Sequence, residues 1–68
     1  LAAKDYNNAE IFFGKAISIN PKFAEAYYNR ALARLPLSKK TEALSDLSKA
    51  GELGLYEAYS AIKQNSRQ

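Results

Sequence analysis

The chain has 68 residues, enough for one small domain, and it contains no cysteine and no histidine. Domains of this size bury only about 60% of the surface that the unfolded chain exposes, so we expect modest stability. Disulfides and thiolate metal sites are excluded, and the commonest general base is absent. Lysine and arginine outnumber aspartate and glutamate by 10 to 7, but the two signs alternate along the chain, as on a solvated surface. No apolar run approaches the roughly 20 residues that cross a bilayer, and no targeting signal indicates a compartment.

Helices are the expected structure throughout, because good helix formers dominate and only three glycines and two prolines interrupt them. The first helix is predicted over residues 6 to 19, with Asp5 as its N-cap. It ends at Asn20-Pro21 because proline cannot continue the hydrogen-bond ladder. Its apolar residues fall on one helical face: Tyr6, Ala9, Phe13, Ala16 and Ile17.

Three more helices follow. The second is predicted over about residues 24 to 35 and ends at Pro36. The third is predicted over about residues 39 to 53, with Ser38 as a cap and Gly54 as a left-handed stop. The fourth is predicted over residues 55 to about 65, and the polar tail after it is expected to fray.

The chain repeats itself at an offset of 34 residues, which aligns the first helix with the third. The aligned pairs are Ala9 with Ala43, Phe13 with Leu47, Lys15 with Lys49, Ala16 with Ala50 and Ile19 with Leu53. At an offset of 32, Glu25-Ala26-Tyr27 aligns with Glu57-Ala58-Tyr59, so the fourth helix copies the second. Small residues let helix backbones approach, and large ones fill the gaps beside them. The sequence therefore predicts an all-α fold of antiparallel helix-hairpin repeats with about four helices.

The repeat length and the motif residues resemble the tetratricopeptide repeat family. Asp5-Tyr6 through Ala9, Phe13, Ala16 and Asn20-Pro21 is similar to the second helix of such a repeat, and AEAYYNRALARL, residues 24 to 35, is similar to the first helix of the next. The resemblance implies an α-solenoid segment with three parts. Residues 1–21 are the second helix of a truncated repeat, 22–54 a full repeat, and 55–68 a C-terminal capping helix with its tail.

The second repeat departs from the family pattern. Lys40 stands where the first repeat has Tyr6, and Leu55 stands where the closing proline would fall. The run KAGELG, residues 49 to 54, followed by Ala58, also resembles the Sel1-like repeats, which turn more tightly here. The residues of this last turn are compatible with either subfamily.

The two ends of the segment are predicted to differ. Lys63 stands where the second helix has Ala31, and its charge would keep a further helix away, so we expect the fourth helix to cap the array. The first helix carries Ile11, Phe12 and Phe13, more apolar surface than one neighbouring helix covers. We therefore expect repeats upstream of it, or self-association through this open end.

The resemblance implies a concave groove, lined by the first helix of each repeat, that receives a peptide or a partner segment. The residues implied on the second helix are Glu25, Tyr28, Asn29, Leu32 and Leu35, and those on the fourth are Glu57, Ser60, Ala61 and Gln64. Tyr28 is the strongest candidate, because an exposed aromatic ring offers a large contact area at low entropic cost. Asn29 resembles an asparagine with which some family members hold a C-terminal carboxylate. The accompanying lysine and second asparagine would fall at Tyr28 and Leu32, so this helix lacks the full set.

Arg30 and Arg34 lie one turn apart and have two interpretations. They form a basic edge of the groove, suited to acidic ligands, or they lie along the helix surface with their aliphatic stems packed against it. Their neighbours Tyr27 and Tyr28 leave a basic and aromatic surface for single-stranded RNA as an alternative, although the scattered positive charge argues against nucleic acid.

The sequence contains no nucleophile-and-base pair, no glycine-rich phosphate loop and no cluster of metal ligands. We therefore expect a protein-binding scaffold without a cofactor rather than an enzyme. A non-catalytic regulatory or assembly module of a larger enzyme is a second alternative.

Overall fold

A computed structural model describes residues 3–65 of the chain, with side chains from residue 5 onward. It contains four helices: α1 Ala3–Ile19, α2 Ala24–Arg34, α3 Lys40–Glu52 and α4 Glu57–Asn65. No strand occurs within the described residues. The predicted all-α fold of helix hairpins is confirmed. The last three residues of the polar tail, for which fraying was predicted, lie outside the described part.

The helix starts differ from the predictions in three places. α1 begins two residues before Asp5, so this side chain lies in the first turn, where its charge suits the helix dipole, and is not the N-cap. Lys39 rather than Ser38 precedes α3, and no side chain caps that helix. α4 begins at Glu57 because the turn after α3 occupies residues 53 to 56.

Gly54 is the left-handed stop after α3, as the sequence predicted. Gly54 has φ 111° and donates its N–H to the Gly51 carbonyl at 3.0 Å, while the Leu55 N–H reaches the Ala50 carbonyl at 3.0 Å. These two bonds form the Schellman motif, which needs a left-handed residue at the position of Gly54. A proline in place of Leu55 would have no N–H for the second bond, which explains the departure from the family pattern.

The turn after α2 uses the same bonds without a glycine. Ser38 donates its N–H to the Leu35 carbonyl at 3.2 Å, and Lys39 donates to the Arg34 carbonyl at 3.1 Å. Ser38 therefore takes the left-handed position, with φ 61°. This conformation costs an L-residue about 1–2 kcal/mol relative to the right-handed one.

The core is built almost entirely of alanine. One buried cluster joins α2, α3 and α4 and contains Ala31, Ala43, Leu47, Ala50, Ala58 and Ala61. Larger, partly buried side chains pack against this cluster: Tyr27, Tyr28, Leu35, Leu44, Leu55 and Ile62. Small residues at the contacts let the helix axes approach closely, and the rings and aliphatic chains fill the space at the edges.

α2 is the central helix of the first three, since it packs against both α1 and α3, and α4 packs against α3. The Tyr27 hydroxyl donates to the Pro21 carbonyl at 3.1 Å and ties α2 to the preceding turn. At the other end, Gly51 of α3 lies under the ring of Tyr59, so close that a Cβ at Gly51 would be 2.5 Å from the ring. Among the described helices, none is long and apolar enough to span a membrane.

Candidate functional site

α2 keeps one face exposed to solvent. Glu25, Asn29 and Leu32 follow each other at spacings of four and three residues and are all exposed, Leu32 to 43%. Tyr28 and Leu35 flank this face, but both are half-buried and pack against the core. Tyr28 is therefore less accessible than the exposed aromatic that the sequence suggested.

α4 presents a second, shorter exposed face. Glu57, Ser60 and Gln64 are exposed at spacings of three and four residues. Ala61, implied as a groove residue, instead lies in the core cluster together with Ala31 of α2. We call six exposed residues of the two helices the groove face: Glu25, Asn29, Leu32, Glu57, Ser60 and Gln64.

Arg30 and Arg34 point into the junction of α1, α2 and α3. Arg30 donates from Nη2 to Oδ1 of Asp46 at 2.7 Å and from Nε to Oδ2 at 2.9 Å. Arg34 donates from Nη1 to Oδ2 of Asp46 at 2.9 Å and from Nε to Oε2 of Glu10 at 2.6 Å. Lys39 donates from Nζ to Oε1 of Glu10 at 2.8 Å. We call these five residues the Arg34 network.

This network corrects the first interpretation of the two arginines. Their side chains are only 19% exposed, and that of Asp46 only 6%, so they form no basic edge for acidic ligands. The Arg30 guanidinium also lies 5.7 Å from the centroid of the Tyr27 ring, within cation–π distance. Sequence reasoning missed the network because its partners are 12 to 29 residues apart in the chain.

The contacts of the network favour the charged forms of two of its members, Glu10 and Arg30. Hydrogen bonds from Lys39 and then from Arg34 lower the pKa of Glu10 below its ordinary value of 4.5, although burial acts in the opposite direction. The hydrogen bond to Asp46 raises the pKa of Arg30, again against the effect of burial. Both groups therefore remain ionised at neutral pH.

Two cavities adjoin α2. One of about 190 Å³ lies between α1 and α2 and is mainly apolar, with six lining residues: Tyr6, Ala9, Phe13, Asn29, Leu32 and Ala33. The other, of about 390 Å³, lies between the turn before α2 and the turn before α4, and its walls include Lys22, Glu25 and Leu55. Both cavities share residues with the groove face. Within residues 5–65, no group of three or more acidic residues is placed to hold a metal ion.

A tetratricopeptide repeat sequence profile matches residues 12–45, half of the chain. The chain belongs to the tetratricopeptide repeat family. It is 42% identical over 52 residues to the Protein STIP1 homolog of Dictyostelium discoideum, which is 76% of this chain and 9% of that protein. It is 47% identical over 51 residues to human serine/threonine-protein phosphatase 5, which is 75% of this chain and 10% of the phosphatase.

Human DnaJ homolog subfamily C member 7 is 42% identical over 52 residues, 76% of this chain and 10% of the relative. The chain thus spans about a tenth of the length of these curated relatives. No solved structure is significantly similar to it. Because the tetratricopeptide repeat is a protein-interaction fold, membership supports a protein-binding role for the chain.

Proposed function

We propose that the chain is a non-catalytic protein-interaction module that binds a peptide or partner segment along the groove face. α2 supplies the centre of the site and α4 one flank. Ala58 and Ala61 of α4 share a core cluster with Ala31 of α2, so one buried core underlies both helices. A partner segment that crosses both helices would contact apolar, amide, hydroxyl and carboxylate groups in turn.

The exposure of Leu32 beside Asn29 is the observation that carries this proposal. Ala26, Ala31 and Ala33 of the same helix are buried, whereas Leu32 is 43% exposed. The Asn29 amide makes no hydrogen bond within the described part of the chain and lines the smaller cavity with Leu32. An apolar surface next to a free amide suits an apolar side chain together with its own peptide bond.

A pull-down with the whole protein tests the proposal. We expect the double change Asn29→Ala, Leu32→Ala to lose most of the bound partners, because it removes the free amide and the exposed apolar side chain without touching the core. Thr41→Ala, Ser45→Ala is the matched control, since both residues are exposed on α3 outside the groove face. Circular dichroism should give the same helix content for all three proteins. Equal recovery of every partner by the two variants would exclude the groove face as the binding site.

Binding of single-stranded RNA receives less support. Phosphate binding requires a row of accessible cations, and Arg30 and Arg34 are already paired inside the Arg34 network. We expect no salt-dependent binding to oligouridylate at low ionic strength. A dissociation constant that rises steeply with added salt would favour the RNA alternative.

A further inference from the structure

The cations of α2 are kept away from the groove face. Arg34 lies nine residues after Glu25, and Arg30 lies two residues before Leu32. At 3.6 residues per turn, Arg34 is rotated by about 180° from Glu25 and Arg30 by about 160° from Leu32, while Arg30 is about 100° from its neighbour Asn29. A ligand carboxylate on the groove face would have to draw the guanidinium groups around the helix and leave the carboxylate of Asp46, only 6% exposed, without its partners.

The groove face itself contains two carboxylates and no arginine. Glu25 and Glu57 occupy equivalent positions in the first turns of α2 and α4, and both are exposed. Neither forms an ion pair within the described residues, and the other four members of the face are uncharged. Even when Lys22 and Lys63 at its borders are counted, two ammonium groups against two carboxylates give a net charge of zero. The face is thus neutral or acidic in a chain whose formal charge is +3.

This charge distribution determines which partner segment fits. Like charges that meet across an interface are strongly unfavourable, whereas lysine or arginine beside exposed carboxylates is favourable. The amides of Asn29 and Gln64 can both donate and accept, as the peptide bonds of an extended segment require. The exposed Leu32 offers a contact for an apolar side chain.

We infer that the groove face selects an uncharged or basic peptide segment with an apolar anchor residue, and discriminates against acidic segments and free C-terminal carboxylates. The inference rests on the proposed function, because it names the chemistry of the segment bound at that same face. Its two main observations, the internal pairing of the arginines and the free carboxylates of Glu25 and Glu57, are independent of each other.

Selection from peptide libraries tests the inference. The whole protein, immobilised on beads, is offered two randomised decapeptide libraries, one amidated and one with a free C-terminal carboxylate. We expect the retained peptides to come mainly from the amidated library, to carry a zero or positive net charge, and to contain an aliphatic or aromatic residue. Enrichment of acidic or free-carboxylate peptides would overturn the inference and leave the proposed peptide-binding function intact. Retention no higher than on bare beads would overturn both.

A second measurement distinguishes the effect of Glu25 and Glu57 on peptide affinity from the effect of the overall charge of the protein. The best retained peptide is resynthesised with two flanking lysines or two flanking glutamates, and both versions are titrated by fluorescence anisotropy. We expect the glutamate version to bind roughly three- to tenfold more weakly, since exposed charge pairs contribute modestly. The double change Glu25→Gln, Glu57→Gln should reduce this difference, whereas Glu42→Gln, an exposed acid of α3, should leave it unchanged. The assignment of this selectivity to Glu25 and Glu57 would be contradicted if Glu42→Gln reduced the difference in affinity equally. It would also be contradicted if the double variant left that difference unchanged.

Discussion

α1 and α3 are copies in sequence but differ in burial. Ala43, Leu47 and Ala50 of α3 are completely buried, whereas their counterparts in α1, including Phe13, are only half-buried. α3 packs against both α2 and α4, while α1 packs mainly against α2. The same apolar pattern therefore forms a buried core only where a second helix packs over it. The repeat unit is therefore stabilised by its neighbours rather than by its own composition.

Truncation of the equivalent large residues of α1 and α3 should have the largest effect on the free energy of unfolding. Leu47→Ala empties a fully buried position and should cost about 3–4 kcal/mol of unfolding free energy. Phe13→Ala removes a larger side chain, but one that keeps contact with water, so we expect only about 2 kcal/mol. Urea denaturation followed by circular dichroism measures both. A greater loss of unfolding free energy for Phe13→Ala would contradict this difference in burial, since it would mean that α1 is as well covered as α3.

Glu10 of α1 and Asp46 of α3 both pair with Arg34. Loss of the α3 acid should again cost more unfolding free energy than loss of the α1 acid. Asp46→Ala leaves two guanidinium groups without their buried partner and should cost about 2–4 kcal/mol. Glu10→Ala removes a more exposed carboxylate, 15% against 6%, and should cost about 1 kcal/mol. As a control, Asp46→Ala in an Arg30→Met, Arg34→Met background should cost much less, since no buried cation is then left unpaired. The opposite ranking in urea titrations would mean that the α1 side of the network is the stronger one.

A third test concerns Gly51, the position at which α3 has a glycine and α1 has Ile17. Gly51→Ala should destabilise by about 1 kcal/mol, because the new Cβ displaces the Tyr59 ring, although alanine favours the helix. In a Tyr59→Ala background the same change should stabilise by about 0.5–1 kcal/mol, since only the helix propensity remains. The four proteins form a double-mutant cycle in urea. Identical effects of Gly51→Ala in both backgrounds would show that the ring contact has no energetic weight.

The smallest effect that we expect concerns Glu10 of α1 and its contribution to the pH dependence of the unfolding free energy. The pKa of Glu10 is lowered in the folded state, so its contribution is complete above the ordinary value of 4.5 and is lost as the pH falls through the lower, folded pKa. We expect the unfolding free energy to fall less on acidification in Glu10→Gln than in the natural chain. Glu42→Gln, an exposed acid of α3, serves as the control. Superimposable pH profiles of the natural chain and Glu10→Gln would contradict the expected role of Glu10.

The elements were predictable from local signals, and their contacts were not. Pro21, Pro36 and Gly54 interrupt helices by their backbone chemistry alone, so four helices follow from the sequence. Helix starts were less accurate, since α4 begins two residues late because the Schellman turn uses the N–H of Leu55. The two arginines were misplaced because each partner comes from a distant segment of the chain. The groove residues were assigned by resemblance and remain a proposal.

Arg34 has a further consequence for shape. One guanidinium group holds a carboxylate of α1 and a carboxylate of α3, so it links consecutive repeat units through a single side chain. In stacked-repeat proteins the small rotation between units sets the superhelical curvature. Loss of either ion pair should therefore change the orientation of the two units relative to each other. We expect the curvature of this part of the solenoid to depend on polar contacts at the junction of α1, α2 and α3.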